Sequence, residues 1–115
     1  MNGYLGSYRH SLDSKGRVSL PAAFRRRGGE SFVLLRFHDD ALTLYPDEAW
    51  SDVERELREM LERRPDFRHL VLRITGNAQH ASLDGQGRIL MPERLRGGAG
   101  LDDDVLIVGA LDKIE

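Results

Sequence analysis

The sequence predicts a mainly β, α+β domain: a pseudo-two-fold barrel made of two tandem repeats that share one core, with a helical insert between them. Three observations predict it. Ser11–Arg25 (SLDSKGRVSLPAAFR) aligns without gaps on Ser82–Arg96 (SLDGQGRILMPERLR), with seven of fifteen positions identical. Short alternating segments flank a glycine turn in both copies. Between the copies the alternation gives way to a helical period.

In the first repeat, residues 5–48, Leu5–Leu12 places Tyr and Leu among polar residues and runs into Asp13-Ser14-Lys15-Gly16. Asp at the first turn position and Gly at the last suit a type I turn with a glycine bulge, which predicts a hairpin to the return strand Arg17–Leu20. Pro21 fits the first position of a short helix extending to Arg27, stopped by Gly28-Gly29. A second hairpin follows, from Phe32–Phe37 through His38-Asp39-Asp40 to Ala41–Tyr45. The second repeat, residues 77–115, follows the same plan from Gln79, with Asp84-Gly85-Gln86-Gly87 as its turn. Between them, residues 49–76 form the insert. Pro46 and Asp47 open a helix striped by Trp50, Val53, Leu57, Met60 and Leu61 that closes before Pro65. Phe67, Leu70, Val71 and Ile74 carry a second helical stripe.

A repeat of about 40 residues with two hairpins cannot bury its apolar faces alone, so each copy is expected to complete the core of the other. That arrangement places Arg17 and Arg88 symmetrically on one molecule. Apolar residues of the strands such as Phe32, Leu34 and Leu44 are expected to need cover from further copies.

Composition narrows the function. The 115 residues are 40% hydrophobic and 31% charged, contain no cysteine and offer no apolar run longer than four residues, which excludes disulfides, thiolate chemistry, a membrane span and a signal peptide. The formal charge of -2 hides a block pattern, since residues 1–36 and 67–100 are basic while 37–66 and 101–115 are acidic. Enzyme motifs are missing: Gly85-x-Gly87 is followed by Leu90 where a dinucleotide fingerprint needs glycine, and there is no GK[ST] loop or G-x-S-x-G elbow. His10, His38, His69 and His80 lack HExxH spacing. His10 with Asp13 and His80 with Asp84 form metal pairs only in imagination, because the repeat aligns His10 with Ala81. Neither a cofactor nor a small-molecule substrate is expected.

DSKGRVSLPAAFR and DGQGRILMPERLR resemble the SpoVT-AbrB type of swapped-hairpin DNA-binding module, and two copies around an amphipathic helical insert resemble the MraZ family. The likeness runs from YLGSYRHSLDSKGR to VLIVGALDKIE. It implies a swapped-hairpin β-barrel and a bacterial transcriptional regulator, cytoplasmic and nucleoid-associated, that binds short repeats upstream of the cell-division and cell-wall gene cluster and assembles into rings. In that family the second unit continues into an aromatic residue and a closing helix, so the second repeat is expected to be truncated at its C-terminal end. The resemblance also implies that Lys15, Arg17 and Arg25 of the first unit and Arg88 and Arg96 of the second face double-stranded DNA, with Gln86 offering an amide where Lys15 offers a charge. Asp13, Gly16, Asp84 and Gly87 form the turns. Arginine suits such work because its planar fork donates bidentately to phosphate or guanine. The bland alternative pairs Arg17 with Asp13 as a surface ion pair, and the acidic insert leaves open an antitoxin-like or adaptor barrel acting on a protein partner.

Overall fold

In the computed structural model, residues 3–26, 30–38, 41–101 and 103–115 are described. The first repeat contributes β1 (Ser7–Ser11), β2 (Arg17–Ser19), a 3-10 turn (Ala22–Phe24), β3 (Ser31–His38) and β4 (Ala41–Pro46). Helices α1 (Asp47–Arg63) and α2 (Arg68–Asn77) follow, joined by a 3-10 turn at Pro65–Phe67. The second repeat supplies β5 (Gln79–Ser82), β6 (Arg88–Leu90), α3 (Glu93–Ala99), β7 (Asp104–Ala110) and β8 (Lys113–Ile114). Pro46 stands at the α1 N-cap and Asp47 and Glu48 complement the helix dipole, as the sequence leads one to expect.

The strands form an open antiparallel sheet of six, ordered β1-β7-β8-β4-β3-β5, and a separate two-stranded ribbon of β2 and β6. This corrects the expected barrel: β1 and β5 remain as edges and the sheet does not close. The first hairpin of each repeat is corrected as well. Asp13 N–H donates to the Arg17 carbonyl and Asp84 N–H to that of Arg88, but no ladder develops between the strands on either side of these turns. Instead β1 pairs with β7, β5 with β3 and β2 with β6, so each strand beside a turn is completed by the other repeat. The hydrophobic pattern explains the preference. Val18 and Ile89 lie opposite one another in the ribbon and are both buried, which a local hairpin would not achieve for both at once. The β3–β4 hairpin forms as expected, with Val33 opposite Tyr45 and Leu34 opposite Leu44.

The principal core draws on both repeats: Tyr4, Val18, Leu20, Phe24, Phe32, Leu34 and Leu44 pack with Leu83, Ile89, Met91, Leu95, Ile107 and Ile114. Phe32, Leu34 and Leu44 are therefore covered by their own chain, and the expectation that they need another copy fails. On the opposite face of β3 and β4, Val33, Leu35 and Tyr45 form a smaller cluster with Trp50 of α1. Leu57 and Val71 are buried on the insert's inner side, whereas Leu70, expected in the second stripe, is exposed.

The helix expected from Pro21 to Arg27 is one 3-10 turn, because Phe24 seats edge-on against Tyr4 and Tyr8 and the chain turns extended at Arg25 (φ -91°, ψ 108°). Arg27, the Gly28-Gly29 stop and the Asp39-Asp40 turn lie outside the described residues. The matching segment in the second repeat is a true helix, α3, closed by Gly100 in the left-handed conformation.

Candidate nucleic-acid interface

Each turn is organised by its aspartate. Asp13 Oδ1 accepts from the backbone N–H groups of Lys15 (2.9 Å) and Arg17 (2.8 Å), while Oδ2 accepts from Arg17 Nε at 2.8 Å. The second copy repeats this nearly atom for atom: Asp84 Oδ1 holds the N–H groups of Gln86 and Arg88, each at 2.9 Å, and Oδ2 holds Arg88 Nε at 2.9 Å. The Arg17 N–H, then the Arg17 side chain and the Lys15 N–H, keep the Asp13 carboxyl below the usual carboxylate range. Asp84 is lowered by the Arg88 N–H, then by the Gln86 N–H and the Arg88 side chain. Gly16 (φ +80°) and Gly87 (φ +75°) occupy the left-handed region that closes each turn.

The ion pair of the bland alternative is thus present, and it acts as an orienting contact. It occupies Nε and leaves the two terminal nitrogens of Arg17 without a hydrogen-bond partner among the described residues. Arg88 Nη1 approaches Asp13 at 3.9 Å, which ties the two turns together across the pseudo-two-fold. Both arginine side chains are roughly a quarter exposed, and their rotamers are held before any ligand arrives.

Arg17 lies opposite Leu90 and Ser19 opposite Arg88 in the ribbon, so these four residues share its outer face while Val18 and Ile89 fill the inner one. Lys15 and Gln86 are exposed at the turn tips. Arg25 and Arg96, expected from the resemblance to face DNA, each lie beside the turn of the other repeat. A Cβ on Gly87 would collide with the Arg25 guanidinium, and one on Gly16 would meet Arg96 at 2.9 Å. Each of these arginines therefore braces the other repeat's turn. The same crossing is made by the backbone, since the Gly16 carbonyl accepts from Met91 N–H at 2.8 Å and the Gly87 carbonyl from Leu20 N–H at 3.0 Å.

The site consequently gathers Lys15, Arg17, Arg25, Gln86, Arg88 and Arg96 around one ribbon, with five cations against the two turn carboxylates. Ser19 and Leu90 escape the sequence reading. The signal that could have found them is their mismatch at aligned positions of an otherwise duplicated alternating strand. His10 is engaged otherwise than as a metal ligand, its Nδ1 hydrogen-bonding the Ser19 carbonyl. The described residues hold no cluster of three or more potential metal ligands. No described helix is long and apolar enough to cross a membrane.

Against known proteins, a family model described as "MraZ protein, putative antitoxin-like" matches residues 4–72 and 74–115. The chain is 41% identical to the protein named transcriptional regulator MraZ of Syntrophomonas wolfei subsp. wolfei, over 97% of this chain and 78% of that protein. It is 39% identical to the protein of the same name from Moorella thermoacetica, with the same coverage. Among solved structures, the solution structure of PHS018 from Pyrococcus horikoshii aligns with a TM-score of 0.43 and 12% identity, covering 94% of this chain and 91% of that one.

Proposed function

The chain belongs to the MraZ family, and from that premise we propose that it is a sequence-specific DNA-binding transcriptional regulator, not an enzyme, which lays the β2–β6 ribbon into the major groove. The observation that carries this is the pair of Asp-clamped turns that aim Arg17 and Arg88 from one exposed ribbon face. A two-stranded ribbon fits the major groove, and arginine reads guanine or grips phosphate there. Arg17 and Arg88 act as the central donors, Lys15 and Gln86 reach outward from the tips, and Arg25 and Arg96 add charge beside the turns they brace. Nucleoid association and recognition of repeated promoter elements upstream of the cell-division and cell-wall gene cluster belong to the same proposal, with family membership as their support. The described residues of each chain form one such ribbon, so assembly into a ring would raise affinity through repeated contacts. The unpaired edges of β1 and β5 support such assembly. The label swapped-hairpin suits the cross-paired strands.

The test is retention of the purified chain on duplex DNA from upstream of its own gene, with elution by salt and mapping of the protected bases. The Arg17→Ala, Arg88→Ala double variant should melt like the parent and lose retention. If that variant stays folded and binds with unchanged affinity and salt slope, the arginines revert to surface ion pairs. If the parent chain ignores DNA, the adaptor reading returns.

A further inference from the structure

The outer face of the ribbon carries one residue that neither phosphate binding nor folding explains. Leu90 is 52% exposed. The other large exposed hydrophobics among the described residues, Leu5, Leu70, Leu72, Leu106 and Leu111, all lie off the ribbon. The ribbon's inner face is already filled by Val18 and Ile89, and the residue opposite Leu90 is Arg17. Leu90 ends β6 directly opposite Arg17, so its isobutyl group sets an apolar surface beside the cations of the site. An apolar feature on a ligand bound there would have it as a partner.

We propose that Leu90 is a specificity-determining residue that packs against the C5-methyl group of a thymine in the major groove. The inference rests on the DNA-binding function proposed above. In that groove the base edges present donors and acceptors, and the thymine methyl is the apolar group among them. The pseudo-two-fold equivalent of Leu90 is Ser19, whose hydroxyl can donate or accept but offers no apolar surface. The two halves of the ribbon therefore read different chemistry although their backbones and arginines match. The second repeat's half selects a methyl-bearing pyrimidine, and the preferred site is asymmetric within each bound chain.

Uracil lacks only the C5-methyl of thymine, which makes it the probe. Binding is measured on duplexes in which each thymine of the protected site is replaced by uracil in turn, using the parent chain, Leu90→Ala and Ser19→Leu. In the parent, replacement at one thymine should weaken binding about fourfold, the worth of one buried methyl. Leu90→Ala should bind the thymine and uracil duplexes equally at that position, keep its dependence on Arg17 and melt as the parent does. Ser19→Leu should create a second uracil-sensitive position related to the first by the pseudo-two-fold. Arginine-dependent binding with no uracil-sensitive position would remove the Leu90 assignment and leave the DNA function standing. A sensitivity that persists undiminished in Leu90→Ala would overturn it equally. A parent chain that binds none of the duplexes would overturn both.

Discussion

The two turns share a skeleton and differ in chemistry. Their aspartates make matching bonds within about 0.1 Å, and their closing glycines differ by five degrees in φ. Around that common frame, Lys15 stands against Gln86, Ser19 against Leu90 and His10 against Ala81. The difference teaches that the duplicated element is the Asp-centred hydrogen-bonded scaffold, while side chains outside that scaffold are free to diverge. A similar contrast appears on the outer sheet faces. That of the first repeat is roofed by α1 and α2, with Trp50 of α1 packed on Val33, Leu35 and Tyr45, whereas Leu106 of β7 is 52% exposed.

The strongest way to break the equivalence of the turns is to attack their glycines. Gly87→Val forces a β-branched residue to positive φ and drives its Cβ into Arg25, and Gly16→Val does the same against Arg96. Each should cost about 1–3 kcal/mol in denaturant unfolding and weaken DNA binding at the same time, with Gly87→Val the worse because its collision is closer. Equal losses would mean that the bracing arginines simply swing away.

Next come the arginines. Arg17→Ala or Arg88→Ala should each lower affinity by about 1–3 kcal/mol for a base contact, with melting nearly unchanged, and at low salt Arg17→Ala should hurt more because Lys15 concentrates charge at its turn. Titrations of both variants at low and moderate salt check the order. A smaller effect sharpens the same comparison: Gln86→Lys should steepen the dependence of log K on log salt by about one and Lys15→Gln should flatten it by as much, if each contacts one phosphate.

The mildest effect is the response to acid. Asp13 and Asp84 titrate below their ordinary range because they accept bonds in the folded turns. Their stabilising contribution is therefore fully present above the unfolded carboxylate pKa, about 4, and is lost as pH falls through the lower folded values. Melting curves should show this loss below about pH 4, and the loss should be reduced in Asp13→Asn. An undiminished loss in that variant would place the acid response elsewhere.

Much of this molecule was legible from residues alone. Matched DxxGR motifs marked both turns of the candidate site, and the Trp50, Val53, Leu57 stripe marked α1. Strand partners were not legible. Alternation reveals that Arg17–Ser19 is extended, but a nearby turn suggests local pairing, and only the burial of Val18 on Ile89 selects the distant strand. The crossing of Arg25 and Arg96 was hidden for the same reason, because it depends on where the other repeat's glycine lies in space. Leu90 lies within the apolar run Ile89-Leu90-Met91, where composition alone does not tell an exposed leucine from a buried one.

The pairing of Ser7 with Val108 and of His10 with Val105 has a consequence during synthesis. β1 leaves the ribosome long before its neighbour β7 does. At about 5–20 residues per second, β1 waits for several seconds while the insert and the whole second repeat are made. Contacts so distant in sequence also slow folding after release, since the chain must close its longest loop before that pair rewards it. Until β7 arrives, Tyr8 and the rest of β1 remain without their sheet, which makes the nascent first repeat the stage at which a chaperone would matter most.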